Sequence, residues 1–153
     1  MTDAFPDRRA QPGDVEALRA LTRRSMAYWP RDPAYLAEAN RLLSLSAQDL
    51  ARDQAWMVEH AGTPVGYYRL TLHGDLAEIE ELFLEPEWIG HGIGRKLFGH
   101  AIATARRRGC TRLEWETDAD AAGFYLAMGG REIGSRPSGI EGDGPLARMR
   151  FFL

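Results

Sequence analysis

Three glycines at a spacing of two residues lie near the middle of the chain, in the run Gly90-His91-Gly92-Ile93-Gly94-Arg95. Glycine lets the backbone approach a ligand closely and turn its N–H groups toward one point. From Ile93 to Ala105 the apolar residues recur at helical spacing, so we expect a helix to begin at the glycines. The first turn of a helix offers N–H donors and a partial positive charge. The segment therefore predicts an anion site, most naturally for a pyrophosphate, to which Arg95 would add a charge-assisted contact.

Two well-known phosphate motifs fit this segment poorly. A P-loop requires G-x-x-x-x-G-K-S/T, which the stretch from Gly90 to Leu97 does not supply. A dinucleotide fingerprint requires G-x-G-x-x-G, and here Phe98 follows the glycines in place of a further glycine. A nucleotide-binding regulatory domain is therefore the weaker alternative, while a plain strand-to-helix turn without a ligand stays open.

The residues around the glycines resemble a known family motif. Leu82-Phe83-Leu84, Pro86 and the run from Gly90 to Arg95 look like the acyl-CoA-binding motif of the GNAT superfamily of N-acetyltransferases. That motif is commonly written (Gln or Arg)-x-x-Gly-x-(Gly or Ala) at the end of the fourth strand. Ile89 stands where the family usually has Gln or Arg. This departure removes one polar group from the loop and leaves its backbone donors in place.

A second match lies downstream, in the segment from Ala121 to Gly129. It resembles a later helix of the family through its Phe124-Tyr125 pair, and Asp118 sits where many members carry Asn. The resemblance covers roughly residues 8 to 152. It implies a single domain over residues 1–153 that acts as an acyl-CoA-dependent N-acetyltransferase. A non-catalytic acyl-CoA-binding or sensing module of the same fold is the alternative.

The resemblance implies acetyl-CoA as the cosubstrate and no metal. The backbone near Leu84 would pair with the pantetheine arm, and an N–H near Phe83 or Leu84 would face the thioester oxygen as a single oxyanion donor. The glycine loop would hold the pyrophosphate. The coenzyme-binding residues implied in this way are Leu82, Phe83, Leu84, Ile89, Gly90, His91, Gly92, Ile93, Gly94, Arg95, Asp118 and Phe124.

Tyr125 is the candidate general acid for the departing thiolate. Tyrosine has a free pKa of roughly 10, and a coenzyme thiolate is similarly basic, so the proton transfer is nearly balanced. The alternative is that Tyr125 only packs beside Phe124 in the core.

Glu78, Glu80 and Glu81 crowd one predicted strand and are the candidates for the general base. Strand alternation predicts that Glu78 and Glu80 share one face and that Glu81 takes the other. A carboxylate on a half-buried strand can have a raised pKa and accept a proton, directly or through water. Glu78 also lies near the place where some members of the resembling family carry a base. For each of the three, a solvated surface position is the alternative.

Tyr28, Trp29 and Tyr35 flank a proline-broken link after the first predicted helix. In the resembling family this region often walls the acceptor pocket, so the three aromatics are candidates for acceptor binding. The alternative is that they anchor helices in the core. A small-molecule amine or a peptide amine would serve as the acceptor, and the net charge of −3 weakly favours a cationic one.

The composition is that of one globular domain, with 153 residues, 44% of them hydrophobic and 27% charged. The net charge of −3 argues against a nucleic-acid partner. The absence of a long apolar run or a signal-peptide pattern argues against a membrane partner. Cys110 is the single cysteine, which fits a cytoplasmic location, and the histidines show no metal-ligand spacing with it or with each other. The resemblance is compatible with a homodimer.

Periodicity and turn residues predict the elements that position these residues. The predicted helices cover residues 14–27, 34–45 and 118–128, with a central helix from Ile93 and a helical turn at 46–52. The predicted strands cover residues 8–11, 54–60, 65–72, 77–84, 111–117, 131–135 and 146–152. The fold class is therefore mixed α/β, with a GNAT-like, mostly antiparallel sheet of six to seven strands and about four flanking helices. A central parallel pair would splay apart toward Leu84 and Thr117.

Overall fold

Seven strands form one sheet in the order β1-β2-β3-β4-β5-β7-β6. The computed structural model of the chain describes residues 8–29, 32–42, 45–140 and 144–153. Neighbouring strands are antiparallel except β4 and β5, which run parallel, so the predicted mixed sheet is confirmed. The strands are β1 (Arg8–Arg9), β2 (Gln54–His60), β3 (Thr63–His73), β4 (Leu76–Leu84), β5 (Arg112–Thr117), β6 (Arg131–Arg136) and β7 (Leu146–Phe152).

Five α-helices flank the sheet within the described ranges, one more than the sequence predicts. The additional helix is α3, which the sequence predicts only as a helical turn. Ser46 and Asp49 form a capping box at its start, which satisfies two N–H groups and allows so short a helix to form. The helices are α1 (Val15–Ala27), α2 (Pro33–Leu42), α3 (Ala47–Arg52), α4 (Ile93–Arg107) and α5 (Ala119–Ala127).

The sheet buries a hydrophobic core on each face. On one face, α4 and α5 cover residues such as Leu70, Ile79 and Trp115. On the other face, α1 and α3 cover residues such as Met57 and Tyr67. The apolar stripe of α4 supplies the larger core, since Leu97, Phe98 and Ala101 are fully buried. The two cores hold the strands that carry the candidate site.

Gly66 allows α4 to pack closely against the sheet. A β-bulge next to it leaves Val65 as an extra residue, because Val58 pairs with Gly66 while Glu59 pairs with Pro64. A Cβ atom at Gly66 would lie 2.8 Å from Leu84 Cδ2, which is closer than real contacts allow. The role of this glycine is therefore close packing.

The parallel pair opens before either strand ends. Its ladder stops at the Ile79–Trp115 pair, although β4 continues to Leu84 and β5 to Thr117. A second bulge begins at the same level, because Arg69 pairs with Glu81 while Leu70 pairs with Ile79, which leaves Glu80 extra. The predicted splay toward Leu84 and Thr117 is confirmed.

Candidate active site

Two cavities adjoin at the open end of β4 and β5. The first encloses about 370 Å³ and has carboxylates on its wall; we call it the acidic cavity. The second encloses about 350 Å³ and has mainly apolar side chains; we call it the apolar cavity. Both cavities are bordered by Leu82, Phe83 and Tyr125. A molecule bound in one cavity would therefore contact a molecule bound in the other at these residues. The carboxylate residues of the acidic cavity are Glu78, Glu80, Glu81, Glu116 and Asp118.

The glycine loop lies at one end of the apolar cavity. Gly90 and Gly92 have φ angles of +88° and +80°, in the left-handed region that favours glycine. Gly92 is the N-cap residue of α4, and it has no side chain that could cap the helix. The first-turn N–H groups at Ile93, Gly94 and Arg95 therefore have no intrahelical or capping partner. This backbone arrangement fits an anion such as a pyrophosphate.

The side chains of the loop differ in what they can offer. Ile93 is buried in the core, so it contributes only its backbone. His91 is exposed and stacks on Trp88 with the ring centroids 5.5 Å apart. Arg95 is exposed beside the helix start. Ile89 is 39% exposed and forms part of the apolar cavity wall, so the position where relatives carry a polar group is a hydrophobic surface here.

Strand β4 and helix α5 form the two sides of the apolar cavity. Leu82 and Leu84 line it from β4, and Phe124 lines it from α5 while remaining 36% exposed. Asp118 lies at the start of α5 and caps it by accepting a hydrogen bond of 3.0 Å from the N–H of Ala121. The predicted coenzyme residues outside the loop are thus brought together along one groove.

Tyr125 stands between the two cavities. Its ring packs 5.0 Å from that of Trp115 and 5.7 Å from that of Phe98, and only 8% of the residue is exposed. Burial raises the pKa of Tyr125 well above its usual range, and the negative charge of Asp118 acts in the same direction. The hydroxyl is therefore protonated at ordinary pH, as a proton donor must be.

The three glutamates of β4 do not alternate as the sequence predicts. Arg69 and Thr71, two residues apart on β3, contact Glu81 and Glu80 respectively, and Thr71 also pairs with Glu78. All three glutamates therefore lie on the face of Arg69 and Thr71. The prediction that Glu81 takes the opposite face is wrong, because the extra residue at Glu80 shifts the alternation by one.

The environments of the three glutamates differ. Both carboxylate oxygens of Glu81 accept hydrogen bonds from Arg69, at 2.9 and 2.6 Å. Burial nevertheless raises the pKa of Glu81, against the effect of Arg69. Glu78 is half-buried, and its Oε2 accepts a hydrogen bond of 3.0 Å from Arg148. Glu80 is exposed.

The predicted acceptor aromatics separate into two groups. Tyr35 lines both cavities and Trp29 lines the apolar one. Tyr28 borders neither cavity, is 49% exposed and packs against Trp29 with the ring centroids 5.1 Å apart. The structure therefore brings Trp29 and Tyr35 to the site and leaves Tyr28 outside it.

Three charged residues of the acidic cavity were missed by the sequence reasoning. Glu116 on β5 accepts a hydrogen bond of 2.8 Å from Arg136 on β6, and this bond lowers the pKa of the glutamate. Arg148 on β7 donates a hydrogen bond to Glu78 on β4. Polar residues alternate with apolar ones in β5 and β7, which indicates a charged face, but sequence alone does not show that β7 lies beside β5.

The arginines at the end of α4 lie far from the glycine loop. Arg106 to Arg108 follow Gly92 by about four helical turns, which corresponds to roughly 20 Å. They form the exposed end of the helix.

One group of side chains has the composition of a metal site. Ligand atoms of His73, Glu78 and Glu80 lie within 4.8 Å of one another, although the sequence suggested no metal spacing. His73 and Glu80 are exposed, and Arg148 already neutralises Glu78. Exposed groups of this kind are common without an ion, so we assign no metal to them.

The comparisons with known proteins agree with this geometry. The family model described as "Acetyltransferase (GNAT) family" matches residues 15–129. A protein named peptidyl-lysine N-acetyltransferase YjaB, from Salmonella typhimurium, is 34% identical over 130 residues, which is 83% of each chain.

None of the helices within the described ranges has the length and apolar character needed to cross a bilayer.

Solved structures share the fold at low sequence identity. The PaiA N-acetyltransferase of Thermoplasma acidophilum, in complex with coenzyme A, superposes with a TM-score of 0.81 at 18% identity, covering 95% of this chain and 97% of that one. The ribosomal-protein-S18-alanine N-acetyltransferase of Escherichia coli gives a TM-score of 0.73 at 18% identity, covering 95% and 91%. The family model and the curated relative show that this chain belongs to the GNAT family of acyl-CoA-dependent N-acetyltransferases, with acetyl-CoA as the cosubstrate.

Proposed function

We propose that this enzyme transfers the acetyl group of acetyl-CoA to a cationic primary amine, with the lysine side chain of a peptide or protein as the preferred acceptor. The observation that carries the proposal is the acidic cavity, which meets the apolar cavity at Tyr125. An ammonium group is attracted to such a wall before it reaches the acyl donor. The name of the curated relative, a peptidyl-lysine N-acetyltransferase, supports the same acceptor.

The apolar cavity and the glycine loop are suited to the coenzyme. Leu82 and Leu84 lie on the part of β4 that β5 does not pair, so backbone groups facing the opening are available to the amides of a pantetheine arm. The left-handed glycines and the uncapped start of α4 suit the pyrophosphate. Phe124 supplies an apolar contact on the other side of the groove.

Tyr125 acts as the general acid in this proposal. The neutral acceptor amine attacks the thioester carbonyl, a C–N bond forms and the C–S bond breaks. The buried hydroxyl of Tyr125 gives its proton to the departing sulfur, and the proton that the nitrogen loses as the amide forms restores the hydroxyl. Its position at the border of both cavities supports this role, because the thioester must lie where acceptor and coenzyme meet.

Glu78 is the base that the contacts favour among the three glutamates. Glu81 has both oxygens bound by Arg69, whereas Arg148 binds only Oε2 of Glu78. Oε1 of Glu78 faces Nε2 of His73 at 3.5 Å, and His73 is exposed. Glu78 can thus take a proton from the ammonium group, and His73 offers a path for that proton to solvent.

A thiol-release assay with matched acceptors tests the proposal. We expect release of coenzyme A with a lysine-containing peptide whose N-terminus is acetylated, and little release with the same peptide carrying norleucine in place of lysine. Glu78→Gln should lower kcat by at least tenfold, while Glu80→Gln, on the same wall but exposed, should retain most of it. Release that follows a free N-terminus and ignores lysine would contradict the acceptor assignment, and coenzyme binding without any release would favour a sensing role.

A further inference from the structure

Arginine side chains cluster on the part of the sheet that α1, α2 and α3 leave open. On β5 and β7 the buried residues Leu113, Trp115 and Met149 face α4 and α5, so the alternate residues lie on the opposite face. On β6, Arg131 and Arg136 lie on the same face, because they pair directly with Arg150 and Leu146 of β7. The arginines on it, which we call the arginine face, are Arg112, Arg131, Arg136, Arg148 and Arg150.

One carboxylate of this region, that of Glu114, lies beneath the arginines. Glu114 has only 8% of its side chain exposed and accepts hydrogen bonds of 2.7 Å from Arg148 and 2.8 Å from Arg150. The side chains of Arg148 and Arg150 remain 27% and 31% exposed above it. An approaching molecule therefore meets guanidinium groups first, since the carboxylate is covered.

The arginine face carries a positive excess at its outer end. The carboxylates within salt-bridge distance of its arginines are Asp75, Glu78, Glu114 and Glu116. Arg131 is exposed and makes no ion pair with any residue in the described ranges. Arg150 lies directly opposite Arg131 in the register and also stacks on Phe152, 5.6 Å from the ring centre. These two residues offer guanidinium groups for a new partner.

The arginine face is continuous with the acidic cavity. Arg136 and Arg148 belong to both, so the cavity opens directly onto the arginine face. Arg150 follows Arg148 by two residues on β7, a distance of about 7 Å, and Arg131 lies one strand further, about 5 Å away. An extended peptide advances about 3.3 Å per residue, so it reaches these arginines about two to four residues from the cavity.

We propose that the arginine face binds acidic side chains located about two to four residues from the acetylated lysine of a protein substrate. The proposal rests on the lysine acceptor proposed above and adds the sequence context of that lysine. Charge complementarity supports it, because lysine suits the acidic cavity while aspartate or glutamate suits the adjoining guanidinium groups. A single-stranded RNA is the less favoured occupant, since Phe152 is the only aromatic residue on the described part of this face and the chain carries a net charge of −3.

Three lysine peptides and two variants test this inference. The peptides carry Glu, Gln or Lys at the second to fourth positions on either side of the lysine. For the wild-type chain we expect KM for the Glu peptide to be about fivefold lower than for the Gln peptide at 50 mM salt, with kcat unchanged. Arg131→Gln and Arg150→Gln should bring the two KM values within about twofold. Arg106→Gln, at the far end of α4, is the control and should preserve the preference.

Binding is also measured without turnover, by anisotropy of the labelled Glu and Gln peptides with the protein saturated by coenzyme A. Arg131-dependent binding of the Glu peptide in a protein that acetylates neither peptide would support the arginine face and contradict the lysine acceptor. Equal affinities for both peptides would overturn the arginine face. Selective binding of a mixed-sequence RNA 12-mer through Arg131, or a dimer that dissociates in Arg131→Gln, would also overturn it. Since Arg131 is exposed and unpaired within the described residues, its substitution leaves the fold intact.

Discussion

Ile79 and Trp115 are the last residues that pair β4 with β5. Both are buried, and the indole of Trp115 also packs 5.0 Å from the ring of Tyr125. The residue that ends the parallel ladder therefore also supports the proposed acid. The opening between the strands and the position of the tyrosine depend on the same packed side chain.

Tyr125→Phe should lower kcat by about 100-fold and leave the dissociation constant of acetyl-CoA nearly unchanged. The phenyl ring keeps the contacts with Phe98 and Trp115, so we expect little change in Tm. Because burial raises the pKa of Tyr125, the acid stays protonated below that raised value and causes no loss of activity as the pH rises from 6 to about 9. Steady-state kinetics and calorimetry measure these quantities.

Tyr28→Phe is the matched control for that variant, since Tyr28 is exposed and lies outside both cavities. It should retain wild-type kcat. An unchanged kcat in Tyr125→Phe, under conditions where the chemical step limits the rate, would exclude Tyr125 as the acid.

Gly92→Glu should abolish coenzyme binding. The new side chain adds bulk and negative charge at the start of α4, where a pyrophosphate is expected. Gly109→Glu is a close control, because both glycines have φ of +80° and no atom lies within 4 Å of a Cβ at either position. Both variants carry the same backbone strain, so a difference in calorimetric affinity reports the ligand site alone. Equal losses of affinity would remove the phosphate assignment.

Gly66→Ala should destabilise the fold by about 1–3 kcal/mol, because overpacking forces neighbours to move. The added methyl group would meet Leu84 at 2.8 Å and Ile93 and Leu97 at 3.2 Å. Leu84 borders the apolar cavity, so affinity for acetyl-CoA should fall as well. Gly13→Ala, where the structure has no atom within 4 Å, should change neither quantity in urea denaturation or calorimetry.

Arg69→Leu should destabilise the fold by about 3–5 kcal/mol at pH 7, since it leaves the buried carboxylate of Glu81 without its ionic partner and leaves Asp53 with Arg52 alone. Arg69 donates hydrogen bonds to Glu81 and to Asp53, whose side chains are only 7% and 6% exposed. Arg41→Leu, which breaks an exposed ion pair with Glu38, should leave the free energy of unfolding nearly unchanged.

The loss in Arg69→Leu should shrink as the pH falls from 7 to 4.5. Without Arg69, burial raises the pKa of Glu81 further, so the folded variant binds more protons than its unfolded state in this range. Its stability then rises as the pH falls. In the wild-type chain, burial raises the pKa of Asp53 but Arg52 and Arg69 lower it by more. The stability that ionised Asp53 contributes is therefore lost only at acid pH. A pH-independent difference between the two proteins would contradict this account.

Most of the fold could be predicted because its signals are local. The apolar stripe from Ile93 to Ala105 predicts α4, and Gly109 with φ of +80° follows the end of the helix. The order of β2 to β5 follows from three consecutive antiparallel strands and one parallel crossover, whereas the place of β7 between β5 and β6 was not predicted. The first strand is shorter than predicted, with two residues instead of four, because a short helical turn begins at Pro12, and Ala10 adds only an N–H bond of 2.9 Å to the carbonyl of Ala55.

The arrangement of charged residues could not be predicted, because it depends on pairing between distant strands. The bulge at Glu80 arises where the β3 register meets β4, and nothing in the run Glu78 to Glu81 indicates it. Arg148 reaches Glu78 across β5, over 70 positions of sequence. The glycines and Tyr125 that the sequence singled out lie beside the two cavities, whereas the charged wall of the acidic cavity was not predictable.

The extra residue at Glu80 sets the face that each later residue of β4 occupies. Deleting residue 80 would close the bulge and leave Glu81, Leu82 and Leu84 on their present faces, because Ile79 and Glu81 would then alternate. Inserting one residue between Glu81 and Leu82 without a further bulge would instead turn Leu82 and Leu84 away from the core that they pack against. We therefore expect natural variants of this enzyme to tolerate the loss of residue 80 and to keep the spacing from Glu81 to Leu84.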